Sequence, residues 1–210
     1  MATVGADTRA RILAAALDLF ERDGFRGTTI KNITDRCDIT PPALYVYFPS
    51  KDELLSAVVR ESYESLITQL TEAEASAGDD DPAAVFEALV RALVLFSTRH
   101  RKSARIADRD WRFLRPPFRE KVADMRRDVR ARLEQAIVRG VDAGALDLPT
   151  DLARGPATVA TALLDMSTGV AAWYRDDQGG MSADELADLY CRMAARIVTG
   201  ASTPAAKALG

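Results

Sequence analysis

The chain reads as an all-α protein, and three observations in its 210 residues say so. Apolar residues recur three and four positions apart almost throughout, and no alternating strand pattern persists. Gly, Pro and Asp clusters cut the chain into pieces of helical length. The expectation is about nine helices in two domains. A three-helix unit occupies residues 1–51, a larger helical domain occupies 52–200, and residues 201–210 form a flexible tail.

The first helix is expected over about 8–22, with Ile12, Leu13, Ala16, Leu17 and Phe20 on one face. Asp7 or Thr8 caps it and Gly24 ends it. A short second helix follows Thr28 and turns Ile30 and Ile33 inward; a third starts near Thr40 and carries Leu44, Tyr47 and Phe48. Pro49 breaks the chain, and Ser50 with Glu53 opens a long fourth helix as a capping box. Leu54, Leu55, Val58, Val59, Tyr63, Leu66, Ile67 and Leu70 form its stripe. Residues 77–82 are the clearest loop, and Pro82 suits the first turn of a fifth helix carrying Val85, Phe86, Leu89, Val90, Leu93 and Phe96. A shorter basic helix covers about 101–114 and stops at Pro116-Pro117, and a seventh runs over about 117–142 to end at Gly144. Two more, about 151–175 and 183–199, flank the loop Asp176-Asp177-Gln178-Gly179-Gly180. Residues 156–174 are apolar or small on nearly every face, with Asp165 their only charge, so that helix asks for burial on all sides.

Composition excludes several classes. Hydrophobic residues make up 48%, enough for a sizeable core. No run approaches the roughly 18 apolar residues of a membrane helix, so no membrane partner is expected. The first residues lack a basic stretch followed by an apolar core, so no secretory signal is expected and the cytoplasm is the expected location. Cys37, Cys191 and the single histidine, His100, make a poor ligand set, so neither a metal nor a cofactor is expected. A nucleophile with a base and an orienting partner is not visible, which argues against an enzyme. The net charge of −3 argues against bulk coating of nucleic acid, but the charge is patterned. Residues 1–51 carry 7 basic and 6 acidic side chains, net +1, and residues 52–98 carry 2 and 10, net −8. Residues 99–132 carry 13 and 5, net +8, and residues 133–210 carry 6 and 10, net −4.

Helices two and three are joined by Arg36-Cys37-Asp38-Ile39, the short connection that a helix-turn-helix needs. In that motif the start of the last helix meets base edges, while earlier elements hold phosphates. Thr40, Pro41, Pro42 and Ala43 are then placed at the groove of double-stranded DNA, with Tyr45 projecting outward. Thr28 and Thr29, at a helix start, and Lys51, heading helix four, suit the phosphate backbone. Tyr45 and Tyr47 also suit plain packing, and a charge of +1 is low for DNA binding unless a second copy doubles the footprint.

The run from Gly24 to Ile30, then Ile33, then Ile39-Thr40-Pro41-Pro42-Ala43-Leu44-Tyr45-Val46-Tyr47-Phe48-Pro49-Ser50-Lys51-Asp52-Glu53-Leu54, resembles the signature of the TetR family. The resemblance implies a DNA-binding helix-turn-helix followed by a helical domain that binds a small-molecule effector and forms a homodimer. Carried over position by position, it makes Thr28, Thr40, Tyr45, Tyr47 and Lys51 the DNA contacts. Two positions depart from the pattern: Pro41 and Val46 stand where family members often carry Lys and His, so an operator sequence cannot be borrowed.

Candidates for the effector site fall in the larger domain. The apolar ones are Phe86, Leu89, Leu93, Phe96, Trp111, Met125, Val129, Leu163, Met166, Val170 and Trp173, all equally at home in an ordinary core. Within the +8 segment, Arg105, Arg109 and Arg112 suit an anionic, phosphate-bearing ligand, although basic runs are usually solvated helix faces. Residues 107–114, Phe118-Arg119, Met125-Arg126-Arg127, Ala172-Trp173-Tyr174-Arg175 and residues 180–186 resemble the family's acyl-CoA-responsive branch. That resemblance implies a repressor released from operator DNA by an acyl-CoA, its acyl chain among the apolar residues and its nucleotide near the arginines. Two alternatives stay open: a repressor sensing another hydrophobic molecule, and a helical carrier or adaptor that binds no DNA.

Overall fold

The computed structural model describes residues 2–148, 155–175 and 180–199. Nine α-helices lie among the described residues: α1 Ala2–Gly27, α2 Ile30–Cys37, α3 Pro41–Tyr47, α4 Lys51–Ala77, α5 Pro82–Arg99, α6 Arg101–Arg109, α7 Phe118–Asp142, α8 Gly155–Trp173 and α9 Ala183–Val198. A 3-10 turn, Trp111–Phe113, follows α6, and an isolated bridge pairs Asp147 with Thr199. The all-α expectation holds. The expected tail, the start of the eighth helix at 151–154 and residues 176–179 of the expected loop lie outside the described residues.

Helix ends follow local chemistry. α1 runs past the expected stop at Arg22 and breaks at Gly24, whose φ of 75° and ψ of 164° lie where a side chain is strained. α2 is held by a capping box between Thr29 and Asn32 and closed by Asp38 in the left-handed region, φ 52°. Ser50 Oγ accepts the Glu53 amide at 3.0 Å, and Asp81 Oδ1 accepts the Ala83 and Ala84 amides ahead of α5. Ser182 and Glu185 form a second capping box at α9. The basic helix expected over 101–114 is shorter than expected, because the chain tightens into the 3-10 turn after Asp110.

The chain divides into two compact units, Met1–Ile67 with His100–Arg127, and Thr68–Arg99 with Asp128–Gly210. The division falls inside α4 and α7 rather than at residue 51. In the first unit, Ile12, Ala16, Phe20, Ile33, Leu44, Phe48, Leu54, Leu55 and Ile106 form a buried core. α6 packs on α1, and Phe113 stacks on Phe25 at 6.1 Å, which itself meets Phe20 edge-on at 5.6 Å. In the second unit α5 is central and packs on both α8 and α9. Val94 of α5, Val170 of α8, Tyr174, and Leu186 with Ala187 of α9 make one buried cluster.

α8 departs from the burial its composition asks for. Val159, Ala160, Leu163, Ser167, Val170 and Ala171 are buried, yet Thr161, Ala162, Asp165, Gly169, Ala172 and Trp173 face solvent. α9 likewise leaves Met193 and Ile197 exposed. One chain covers only one side of this helix pair.

Candidate functional site

The helix-turn-helix is built from α2 and α3. Asp38 turns the chain, and the Ile39 amide closes the turn on the Thr34 carbonyl at 3.1 Å. Leu44 and Phe48 anchor α3 in the core, so its other face is left outward. Pro41, Pro42, Tyr45 and Val46 are exposed there, with Tyr45 at 46% and Val46 at 79%. These four positions, i, i+1, i+4 and i+5, form one stripe. Thr40 is exposed and makes no capping bond, while Ala43 and Tyr47 are half-buried at the edges. Five expected contacts, Thr40, Pro41, Pro42, Ala43 and Tyr45, are thus gathered on or beside one outward surface.

Two expected phosphate contacts are placed differently. Thr28 is 0% exposed, and its hydroxyl donates to the Leu19 carbonyl at 3.1 Å and the Gly24 carbonyl at 2.9 Å. That bond pair satisfies a buried hydroxyl and locks the end of α1, which removes the group from the surface. Lys51 donates from Nζ to the Phe25 and Thr28 carbonyls, each at 2.9 Å, and its ammonium lies 4.3 Å from the Phe25 ring centroid. It therefore ties the head of α4 to the α1–α2 connection. Thr29 is exposed, but its hydroxyl is engaged with Asn32 at 2.6 Å.

Every basic side chain of residues 1–51 has a partner. Arg9 pairs with Glu61, Arg22 with Asp23, Lys31 with Asp35 and Arg36 with Asp18. Arg11 donates to the Cys37 carbonyl, Arg26 lies over the Phe113 ring at 4.6 Å, and Lys51 is held as described. The exposed pairs cost little to break, so Lys31 in particular can turn to a phosphate.

The +8 segment does not face one way. Lys102 donates to Asp18 at 2.6 Å, and Arg105 donates to Glu21 at 3.0 Å with Arg101 at 3.6 Å from the same carboxylate oxygen. Lys102, and then Arg36, hold the Asp18 carboxyl below its ordinary range. Arg109 reaches the Phe20 carbonyl at 2.6 Å and chelates Asp110, a carboxylate only 2% exposed, which raises the guanidinium above its usual value. Arg105 and Arg109, expected to hold a ligand, are thereby engaged with α1; Arg112 is exposed. No reading of the sequence found this docking, although the signal was there. Asp18 and Glu21 stand three apart on α1, and Arg101, Arg105 and Arg109 stand four apart on α6, complementary stripes of the kind that pair.

A second cluster gathers around Trp111. Arg119 and Arg126 lie 5.7 Å and 4.7 Å from its ring centroid, and Arg126 donates to the Tyr63 hydroxyl at 2.7 Å. Burial raises the Tyr63 phenol above its usual value, with Arg126 working against that. Met125 is half-buried in the same unit. The remaining candidates, Phe86, Leu89, Leu93, Phe96, Val129, Leu163, Met166, Val170 and Trp173, belong to the second unit. Phe86, Leu89, Leu93, Phe96, Val129, Leu163 and Val170 are buried there, Met166 is half-buried and Trp173 is 56% exposed. Among the described residues no group of three or more His, Cys, Asp or Glu is placed to hold a metal, and no helix is long and apolar enough to cross a membrane.

A helix-turn-helix with a bare outward stripe, in a chain otherwise made of helices, defines the class of helical DNA-binding regulators. Residues 12–58 match the family model for bacterial regulatory proteins of the tetR family, and residues 79–198 match the tetracyclin repressor-like C-terminal domain. The chain belongs to the TetR family of bacterial transcriptional regulators. It is 36% identical over 72 residues to the HTH-type transcriptional regulator UidR of Escherichia coli K12, a match spanning 34% of this chain and 37% of that relative. A solved tetR-family regulatory protein from Rhodococcus RHA1 superposes with a TM-score of 0.82 at 28% identity, covering 92% of this chain and 98% of the other. AibR, solved with isovaleryl coenzyme A and operator DNA, shares the fold at a TM-score of 0.77 and 23% identity, covering 89% and 97%.

Proposed function

We propose that the protein is a cytoplasmic repressor that binds operator DNA as a homodimer and leaves it on binding an acyl-CoA-type thioester. The observation that carries the DNA-binding part is the outward stripe of α3, large apolar side chains exposed on a helix whose other face is anchored in the core. Thr40, Ala43, Tyr45 and Tyr47 flank the groove, Thr29 and Lys31 lie nearest the backbone, and Thr28 and Lys51 act as positioning residues beneath them. Dimerisation is supported by the uncovered side of α8 and α9, including Trp173, Met193 and Ile197. Two copies then present α3 helices about 34 Å apart, the spacing of successive major grooves.

The effector part rests on the Trp111 cluster, where two guanidiniums already meet an aromatic face and Arg112, Arg115 and Lys121 are exposed. Such a group suits the phosphates and base of a coenzyme A, and AibR gives a precedent within the fold. The acyl chain requires apolar lining, and Met125 stands half-buried in the same unit. A thioester that favours a different disposition of α4, which carries Lys51, changes the spacing of the two α3 helices and weakens operator binding. The coupling is reciprocal, so operator weakens thioester binding by the same factor.

The test is fluorescence polarisation on the intergenic DNA upstream of the gene, titrated with acyl-CoA thioesters and with the matching free acids. Release by thioesters alone supports the reading; tight DNA binding that no thioester disturbs ends the acyl-CoA part of it. One observation favours a second reading, an uncharged hydrophobic effector. Arg105 and Arg109 serve the fold, which leaves fewer cations for an anion. On that reading Arg119→Glu leaves effector release unchanged; on the first it abolishes release.

A further inference from the structure

The stripe that α3 turns outward has an unusual chemistry for a DNA reader. Between Ile39 and Ser50 there is no Arg, Lys, His, Asn, Gln, Asp or Glu. The side-chain hydrogen-bonding groups there are the hydroxyls of Thr40, Tyr45, Tyr47 and Ser50, and Ser50 already caps α4. Bidentate recognition of guanine by Arg or Lys, or of adenine by Asn or Gln, is therefore not available to α3. What α3 does present is Pro41, Pro42, the Tyr45 ring and the isopropyl group of Val46. The cations of the module lie outside this stripe, on α1, α2 and the head of α4.

In the major groove one base offers an apolar group, and it is the C5-methyl of thymine. We infer that α3 reads its operator through thymine methyl groups, with Val46 and the Pro41-Pro42 pair as the specificity-determining side chains. The inference rests on the DNA-binding reading above and names the chemistry of the sequence that it selects. Each half-site carries at least one thymine whose methyl packs against this stripe.

The experiment uses the full-length protein. Its preferred duplex is first selected from a randomised pool, and each thymine is then replaced singly by deoxyuridine, which removes only the methyl. Affinities are read by fluorescence polarisation at fixed salt. The expected result is a loss of about fourfold at one or more thymines in each half-site, the worth of one buried methyl-sized group. Val46→Ala, at a surface position that leaves the fold intact, reduces the thymine–uracil difference at its own site towards one. Equal affinity for every deoxyuridine duplex overturns the inference while leaving DNA binding standing. So does a preferred site whose affinity instead depends on guanine N7, tested with 7-deazaguanine. Failure to retain any duplex overturns the inference together with the DNA-binding reading, and the two failures are thus distinct.

Discussion

In the first compact unit α6 is fastened to α1 by Lys102 on Asp18, Arg101 and Arg105 on Glu21, and Arg109 on the Phe20 carbonyl. In the second, α5 meets α8 and α9 through Val94, Val170, Leu186 and Ala187, with Arg91 and Arg99 pairing to Asp184 and Asp188 only at the rim. A close-packed apolar contact tolerates few alternative arrangements, because any shift opens voids. A contact made of partly exposed ion pairs is weaker per pair, screened by salt and more able to exchange partners. The first unit adds such pairs to an apolar core that includes Ile106 of α6 and the Phe20, Phe25 and Phe113 rings, so its ion pairs adjust the edge of a contact that packing also holds.

The comparison breaks first where packing is removed. Leu93→Ala, at a residue only 1% exposed in the middle of α5, is expected to cost about 2–5 kcal/mol. The measurement is thermal unfolding followed by circular dichroism, and a loss below about 1 kcal/mol would contradict the close-packed description. Arg109→Ala comes next, at about 1–3 kcal/mol, because it strands the buried Asp110 carboxylate and uncaps the end of α1. Arg109→Lys restores only part of that loss, since one ammonium cannot make the forked contact.

Lys102→Ala is expected to cost no more than about 1 kcal/mol, and less still at high salt. Its cost is also pH-dependent. The Asp18 carboxyl lies below its ordinary 3.8 in the folded protein, so its contribution is whole above that value and fades as the pH falls through the folded one. Wild type and variant therefore converge in strong acid, and urea titrations at pH 3 and pH 7 measure the difference. The smallest perturbation is chemical labelling. Burial raises the Cys191 thiol to about 11, so at pH 8 roughly one in a thousand is ionised. Cys37 is raised as well, again by burial first. Neither thiol should take iodoacetamide until its unit unfolds, and rapid native-state labelling of Cys191 would refute the packing around α5 and α9.

Much of the architecture was legible because it is written in short-range chemistry. The short connection over residues 36–39 was read as a turn and a helix was read after Thr28, and the caps that hold it, Thr29 with Asn32 and Asp38, lie within a few residues of what they satisfy. The outward placement of Tyr45 followed from the inward spacing of Leu44 and Phe48, and the structure adds Val46 beside it. The family signature sits in the same stretch, which is why class and fold were legible together. The effector candidates were less so, because a buried Phe or Leu on α5 looks the same in a core and in a ligand wall.

The sequence by itself determined the helices, their order and the face that α3 offers, since periodicity and capping act within one or two turns. Tertiary structure decided which partners the charges meet across long stretches of chain. It placed Thr28 inside, set Lys51 on two backbone carbonyls, and turned Arg105 and Arg109 onto α1, 84 and 89 residues away along the chain. A hydroxyl or a cation carries the same donors wherever it stands. Only the fold fixes whether the nearest acceptor is a phosphate, a ligand or the protein's own carbonyl.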